Sequence, residues 1–518
     1  MRNVFLVSAT AIILLIGTIG YFHPNVLWLF IIVGPLYLLG LYDCIQPRHA
    51  ILRNFPVIGH LRYMLEAISP EIQQYFIELN TEGKPFSRKQ RELAYRRGKN
   101  VDDTTPFGTQ LELNTDDYEG LRHSIFPAHV MKEAPRVHIG GEACKLPYNA
   151  SLFNISAMSF GSLSSNAILA LNSGAKKGGF YHNTGEGGLS PYHLEPGGDV
   201  CWQIGTGYFG CRTKDGKFDP QLFATKSAHV QVRMIELKLS QGAKPGHGGV
   251  LPAIKNTPEI AAIRHIEPHT MVLSPPGHSA FNSAQGLLEF VDTLRTLSGG
   301  KPVGFKLCIG RTEEFVDICK AMANGAPIPD FITVDGAEGG TGAAPLEFND
   351  SVGMPLVPAL IFVHTTLLQY KVRSKVKVIA SGKVLSAASL LKMLGLGADI
   401  CNSARGFLFS LGCIQALRCN TNACPTGITT QDKMLVKGLV VSDKSERVYH
   451  FHRNTLRGVM ELLAACGKHS IDEIGMDMFM RGDEFTTLQN KYFPNSLDTD
   501  RWCDLVPSNA PEEVRATV

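Results

Sequence analysis

Charge is scarce in this chain. Asp, Glu, Lys and Arg make up 19% of its 518 residues, against about a quarter in ordinary soluble domains. The charges also nearly cancel, because 50 Lys and Arg against 47 Asp and Glu leave +3. That balance excludes a strong electrostatic footprint, so no nucleic-acid partner is expected. Cysteine is sparse too, and twelve in 518 residues cannot staple a disulfide scaffold. A dinucleotide-binding βαβ unit is also missing. Gly205-Thr206-Gly207-Tyr208-Phe209-Gly210 fits G-x-G-x-x-G, but Cys211 to Pro220 reads as turns where that fingerprint needs a helix. Disorder is excluded by the 44% of hydrophobic residues, enough for a sizeable core.

What is present begins with two uncharged apolar runs, Val4 to Tyr21 and Val26 to Tyr42, separated by Phe22-His23-Pro24-Asn25. At about 1.5 Å per residue, each nearly spans a hydrocarbon core of about 30 Å. A signal peptide is the other reading of the first run. The second run follows at once without a small-residue cleavage site, which favours a transmembrane helical hairpin. Arg2 precedes the pair, Arg48, Arg53 and Arg62 follow it, and the connection carries no Lys or Arg. The positive-inside bias then predicts a cytoplasmic-membrane protein with its main body facing the cytoplasm. Tyr21, Trp28, Tyr37 and Tyr42 are expected near the span ends.

Residues 46–130 are rich in Arg, Lys, Glu and Pro and read as a charged adaptor, with helices near 69–80 and 87–97. Beyond them, short apolar runs alternate with helical patterns, the sign of a parallel α/β architecture. Eight strands are predicted: Leu152–Ser156, Gly179–His182, Met234–Leu239, Thr270–Ser274, Pro302–Cys308, Phe331–Val334, Val376–Ala380 and Asp399–Ser403. The long connection after the second also contains a candidate extra strand, Cys201–Gly205. Eight βα units over about 250 residues fit a TIM barrel. The expected division is an anchor over 1–45, the adaptor over 46–130, the barrel over 131–480 and a C-terminal extension over 481–518.

Glycine is the one residue in excess, with 51 in the chain, above the usual share of about 7%. The glycines gather where predicted strands end, in Ser159-Phe160-Gly161-Ser162, Asn183-Thr184-Gly185-Glu186-Gly187-Gly188, Gly336-Ala337-Glu338-Gly339-Gly340-Thr341-Gly342 and Ser381-Gly382. Loops favour glycine anyway. The C-terminal face of a barrel, however, is where ligands bind, and the loops after strands seven and eight are its usual phosphate site. A phosphorylated cofactor is the expectation.

Nine cysteines are scattered and read as buried thiols. Cys413, Cys419 and Cys424 instead form a C-x5-C-x4-C run with Pro425 after it. A structural zinc site wants four ligands, and this run offers neither a histidine nor a fourth cysteine. Three thiolates suit a three-iron cluster, or a four-iron cluster with one other ligand. Cys401 is placed on strand eight, away from that role. Spacing alone leaves chance clustering of ordinary thiols open.

Together these segments carry a resemblance. Residues from about 130 to 480 resemble the FMN-binding synthase domain of glutamate synthases. The matching segments are Ala157-Met158-Ser159-Phe160-Gly161-Ser162, Asn183 to Gly188, Gln241-Gly242-Ala243-Lys244-Pro245-Gly246, Ser274-Pro275-Pro276, Gly339 to Ala343, and the cysteine run through Thr430-Gln431-Asp432. The short, membrane-anchored members of the family look most similar. The resemblance implies FMN at the barrel's C-terminal face and a [3Fe-4S] cluster on Cys413, Cys419 and Cys424. It further implies reduction of the 2-iminoglutarate formed from 2-oxoglutarate and ammonia, with electrons from an external donor (ferredoxin, a flavoprotein or a membrane carrier).

For the site, the resemblance implies Ala157, Met158 and Ser159 along the flavin ring, with Asn183 and Glu186 on its polar groups or ordering the loop. Lys306, charged amid apolar neighbours, belongs at the ring's N1/O2 edge, where reduction builds negative charge. Gly339, Gly340 and Thr341 join the cofactor loop, and Ser381, Gly382, Ala404 and Arg405 hold the phosphate. Lys244 and Arg264 are the partners of the substrate carboxylates. Two departures stand out: the family reads Lys-Pro-Gly-Glu-Gly-Gly-Gln where this chain has His247 and Val250 in Lys244 to Val250. The family's amidotransferase and glycine-repeat domains are expected to be absent, so ammonia or an amine arrives freely or from a partner. An electron-transfer protein without amino-acid chemistry is the alternative. Oxidation of a 2-hydroxy acid is argued against by the cysteine run.

Overall fold

The computed structural model describes residues 1–102 and 104–482. They form two compact units, Met1–Arg88 and Lys89 onward. Of the expected C-terminal extension, only Arg481 and Gly482 are among the described residues.

In the first unit, the helix Arg2–Phe22 and the helical stretch Pro24–Ile45 are each long and apolar enough to cross a membrane. They pair as a hairpin. The Phe5 ring lies over Gly40, where any Cβ would collide with it. Thr10 Oγ1 and Tyr37 Oη are 3.1 Å apart, so Tyr37 faces the partner helix inside the hairpin and is not the span-end residue expected. Gly59–Ile72 follows as a helix continued by a π turn over Gln73–Ile77, starting earlier than the predicted 69–80.

In the second unit, eight parallel strands close into a barrel. In chain order they are β1 (Phe153–Ile155), β2 (His182–Asn183), β3 (Val200–Ile204), β4 (Val232–Lys238), β5 (Val303–Leu307), β6 (Phe331–Asp335), β7 (Lys377–Ser381) and β8 (Ile400–Ser403). Every residue of β3, β5 and β6 is buried. A parallel strand covered on both faces reads as such a run instead of an alternating one. Two strand expectations need correction. Thr270–Ser274 is not a barrel strand: Val272–Leu273 pairs antiparallel with Val250–Leu251 in a separate two-stranded ribbon. Its place is taken by the candidate extra strand, since Val200–Ile204 buries all five residues, whereas Leu273 stays 62% exposed. The second strand is also shorter than predicted, because Gly179 caps the preceding helix at φ +65°. The G-x-G-x-x-G segment forms turns, and the next helix opens only at Pro220.

Parallel register sets the rim of the barrel. Lys306 lies opposite Lys238 and Thr333, and Asp335 opposite Ser381. Inside, Glu236 is 1% exposed and holds the strands together as an acceptor. Asn183 Nδ2 donates to its Oε2 at 2.7 Å, Gln203 Nε2 to the same atom, and Thr333 Oγ1 to Oε1 at 2.7 Å. Glu236→Ala would leave three donors from β2, β3 and β6 unpaired. We expect it to lower the free energy of unfolding by about 3 kcal/mol, measured by urea titration, with Glu236→Gln recovering part of the loss. At the opposite end, Arg295 Nε meets Asp330 Oδ2 at 3.1 Å, both buried, and Val303 N donates to the same carboxylate. That is a stability contact on the face of the barrel away from the ligand end.

Candidate functional site

The C-terminal ends of the strands bring most of the expected residues to one mouth. Ala157, Met158 and Ser159 leave β1, and Met158 N donates to Asn183 O at 3.1 Å. The Asn183 side chain is committed to Glu236 and to Gly185 N, so it orders the glycine loop. Glu186, on that loop, meets Lys238 Nζ at 3.0 Å. Lys306 Nζ lies 3.7 Å from Asp335 Oδ2, both side chains nearly buried. Asp335 also accepts from Gly242 N at 3.0 Å, which ties the Gln241-Gly242-Ala243-Lys244 loop to β6. Lys244 Nζ donates to Ala343 O at 2.7 Å.

Around β7 and β8, Ser381 Oγ is 3.4 Å from Ser156 Oγ, and Gly382 takes φ +149°. Ala404 caps the short helix Arg405–Leu411. The Arg405 Nη2 donates to Glu338 O at 2.6 Å, and its guanidinium packs so closely on Gly340 that a Cβ there would sit 2.8 Å from Nε. Gly339, Gly340 and Thr341 form the partly open rim of this loop. Arg264, the last residue of the helix Pro258–Arg264, turns inward: Nη2 donates to Phe160 O and the guanidinium sits over the Phe209 ring.

The electrostatics are unbalanced. Five cations, Lys238, Lys244, Lys306, Arg264 and Arg405, stand against four carboxylates, Glu186, Asp335 and Glu338 at the mouth and Glu236 deeper in the barrel. Burial pushes the Lys244 amine down to about 8, with Glu186 opposing. Burial likewise takes Arg264 and Arg405 down to about 10, against the pull of the nearby carboxylates. For Glu186, burial works upward, but Lys238, Lys244 and Arg264 together hold it below the usual carboxylate range. Arg264 Nε and Ser274 Oγ are buried with no hydrogen-bond partner. Surplus positive charge and orphaned polar atoms at a barrel mouth fit an anionic ligand.

Sequence reasoning missed Lys238, Asp335 and Glu236, and quoted Gln241 only within a matching segment. Lys238 donates to Gln241 Oε1 and so joins the glycine loops to the barrel wall. The signal was available, because a charge inside or ending an otherwise apolar strand is the same mark that singled out Lys306.

The three cysteines lie on one loop beside this mouth. Lys255 Nζ, nearly fully buried, donates to Ser162 O at 2.7 Å and to Cys419 O at 3.1 Å. Gln431 Nε2 donates to Leu163 O at 2.9 Å. These two side chains stitch the cysteine loop to the glycine loop after β1. Burial raises the Cys413 thiol to about 12 and raises Cys419 as well. Burial also acts upward on Cys424, but the hydroxyls of Thr426 and Thr429 outweigh it and bring that thiol down. Among the described residues, no group of three His, Cys, Asp or Glu is spaced for a single metal ion. A multi-iron cluster holds its thiolates farther apart than one ion does. The three thiols act electrostatically on one another. Three soft thiols on one loop are the donor type that an iron–sulfur cluster takes. Cys401 lies on β8, fully buried, as expected.

A closed parallel (β/α)8 barrel with a cationic C-terminal mouth defines the class of protein. Residues 121–469 match the family model described as a conserved region in glutamate synthase. The chain belongs to the glutamate synthase family. It is 40% identical over 466 residues to the glutamate synthase large subunit-like protein YerD of Bacillus subtilis (strain 168), covering 82% of this chain and 88% of that one. An archaeal glutamate synthase [NADPH] of Methanocaldococcus jannaschii is 34% identical over 322 residues, which are 62% of this chain and 60% of that protein. The match thus spans about three fifths of that archaeal relative. Among solved structures, the flavin-binding domain of baker's yeast flavocytochrome b2 aligns over 88% of this chain and 92% of its own, with a TM-score of 0.42 and 13% identity. It is too distant to inform the site.

Proposed function

We propose that this chain is an FMN- and iron–sulfur-dependent oxidoreductase that reduces 2-iminoglutarate, or a related imino acid, with electrons from an external donor, and that its apolar hairpin anchors it in the membrane. The observation that carries this reading is the surplus of buried cations at the mouth of a glutamate synthase-family barrel, beside a three-cysteine loop. Bound FMN would supply hydride chemistry and bound [3Fe-4S] one-electron transfer. Ser381, Gly382, Ala404 and Arg405 would hold the flavin phosphate, Arg405 offering a bidentate fork. Lys306 would put fixed positive charge at the ring edge, with Asp335 keeping its ammonium in place. Lys244 and Arg264 would orient a dicarboxylate by charge-assisted bonds, while Glu186 holds both cations at the mouth. Cys413, Cys419 and Cys424 would ligate the cluster, and the Lys255 and Gln431 bonds would keep that loop against the flavin loop.

Anaerobic reduction followed by mixing with 2-oxoglutarate and ammonia tests the reaction. Flavin reoxidation within the mixing experiment supports it. Flavin that stays reduced, in protein that nonetheless binds iron and FMN, overturns the substrate and leaves the electron-transfer alternative.

The Lys244 amine gives a pH signature. With its value near 8, the ammonium is present below that pH and lost above it. Affinity for 2-oxoglutarate should therefore fall by up to tenfold per pH unit above about 8. Lys244→Met should weaken binding about 10–100-fold at pH 7 and flatten that dependence. Titration calorimetry across pH 6.5–9.5 reads both effects. An unchanged profile in Lys244→Met would remove Lys244 from the carboxylate site.

A further inference from the structure

We infer that the helix Gly59–Ile77, between the apolar hairpin and the barrel unit, lies in the plane of the membrane surface with one apolar stripe in the lipid. The inference rests on the membrane reading of the hairpin.

The stripe is visible in sequence and in exposure. Leu61, Leu65, Ile68, Ile72 and Tyr75 recur at spacings of three and four, the period of one helix face. They remain exposed, from 36% at Ile72 to 53% at Leu61. Met64 and Phe76 widen the same face and are 53% and 86% exposed. Arg62 and Glu66 occupy another side of the helix and pair at 2.8 Å. A short helix in water gains too little from its own hydrogen bonds to persist, so an uncovered stripe of this length calls for an apolar neighbour.

Two observations name the bilayer as that neighbour. The first is a tether. Asp43, in the last turn of the stretch Pro24–Ile45, is fully buried. Its carboxylate accepts from Val57 N at 2.9 Å and lies 3.0 Å from His60 Nε2 by both oxygens. The first turn of the amphipathic helix is thereby pinned to the end of the second span, at the depth where that span leaves the hydrocarbon. A helix starting there has lipid within reach of its apolar face. The second is width. With Met64 beside Leu65, the stripe covers about a third of the helix circumference, broader than the narrow seam that a two-stranded coiled coil buries. Wide apolar faces of this kind suit the headgroup–acyl boundary, and Arg48 and Arg53, between the second span and this helix, supply positive charge for anionic headgroups.

Photo-crosslinking of the full-length chain in phosphatidylethanolamine/phosphatidylglycerol vesicles tests this. Benzoylphenylalanine is placed in turn at Ile68 on the stripe, at Ala67 off it and at Leu14 in the first span. All three positions are exposed, so folding is unaffected. After irradiation, mass spectrometry should find lipid adducts at positions 68 and 14, with the yield at 68 at least tenfold above that at 67. Lipid at 14 with none at 68 overturns the inference and leaves the anchor standing. Lipid at 14 with a protein–protein adduct at 68 assigns the stripe to a second copy of the chain and also overturns it. No lipid at 14 removes the anchor reading, and this inference with it.

Discussion

Cys424→Ser should yield protein that keeps its flavin absorbance but loses at least nine tenths of its iron. A run with only three thiol ligands has none to spare, and a serine hydroxyl is a hard, poorly ionised replacement for a thiolate. Among the three cysteines, Cys424 is the one whose hydroxyl neighbours, Thr426 and Thr429, bring its thiol down against the effect of burial. Turnover with an external electron donor should fall by about 100-fold or more, a larger loss than outer-shell changes at a metal site produce. Reduction of the flavin by dithionite should persist. Cys401→Ser is the control, because Cys401 is sealed in β8; it should retain iron. Iron retained in full by Cys424→Ser would remove the cluster from this loop. Colourless wild-type protein would remove both cofactors.

Gly242→Ala should be the most damaging single methyl in the barrel. A Cβ on Gly242 would land on the carbonyl oxygen of Gly336, just beyond β6. The obstacle is backbone, so no rotamer change relieves it. Gly242 N also donates to Asp335 Oδ2 at 3.0 Å, and Asp335 faces Lys306. Relief of the clash must therefore move the loop carrying Lys244, the end of β6, or both. We expect a loss of about 3 kcal/mol or more in unfolding free energy, together with weakened flavin retention. Urea titration and gel-filtered flavin content measure the two effects. Gly277→Ala, with nothing within 4 Å of its Cβ, should change stability by less than about 0.5 kcal/mol. Equal behaviour of the two variants would refute the close approach.

The composition deficit and the periodicity made much of this protein readable. The scarcity of charge had two addresses. One was the pair of uncharged N-terminal runs, which form the two long apolar helices of the hairpin. The other was the set of apolar strands, where Lys306 stood out because a buried ammonium needs a reason to be there. Glycine clusters at strand ends pointed to the mouth of the barrel, and the cysteine spacing singled out a loop that lies beside it. These are local signals, carried by residues within a few positions of one another.

Tertiary structure decided what depends on partners far apart in the chain. Val200–Ile204 and Thr270–Ser274 are both short apolar runs. Only closure of the barrel, with β3 between β2 and β4, selected the first and left the second to a ribbon at the surface. Asn183 became an ordering residue because Glu236, on a different strand, takes its amide. Lys238 and Asp335 joined the site through parallel register, which sets Lys238 beside Lys306 and carries Asp335 to the same rim. The stripe on Gly59–Ile77 falls in a segment read as a charged adaptor with a helix near 69–80, and its exposure emerged only once the helix was built. Sequence thus determined which residues had to be buried. The pairing of distant strands, which no local pattern encodes, decided which of them meet.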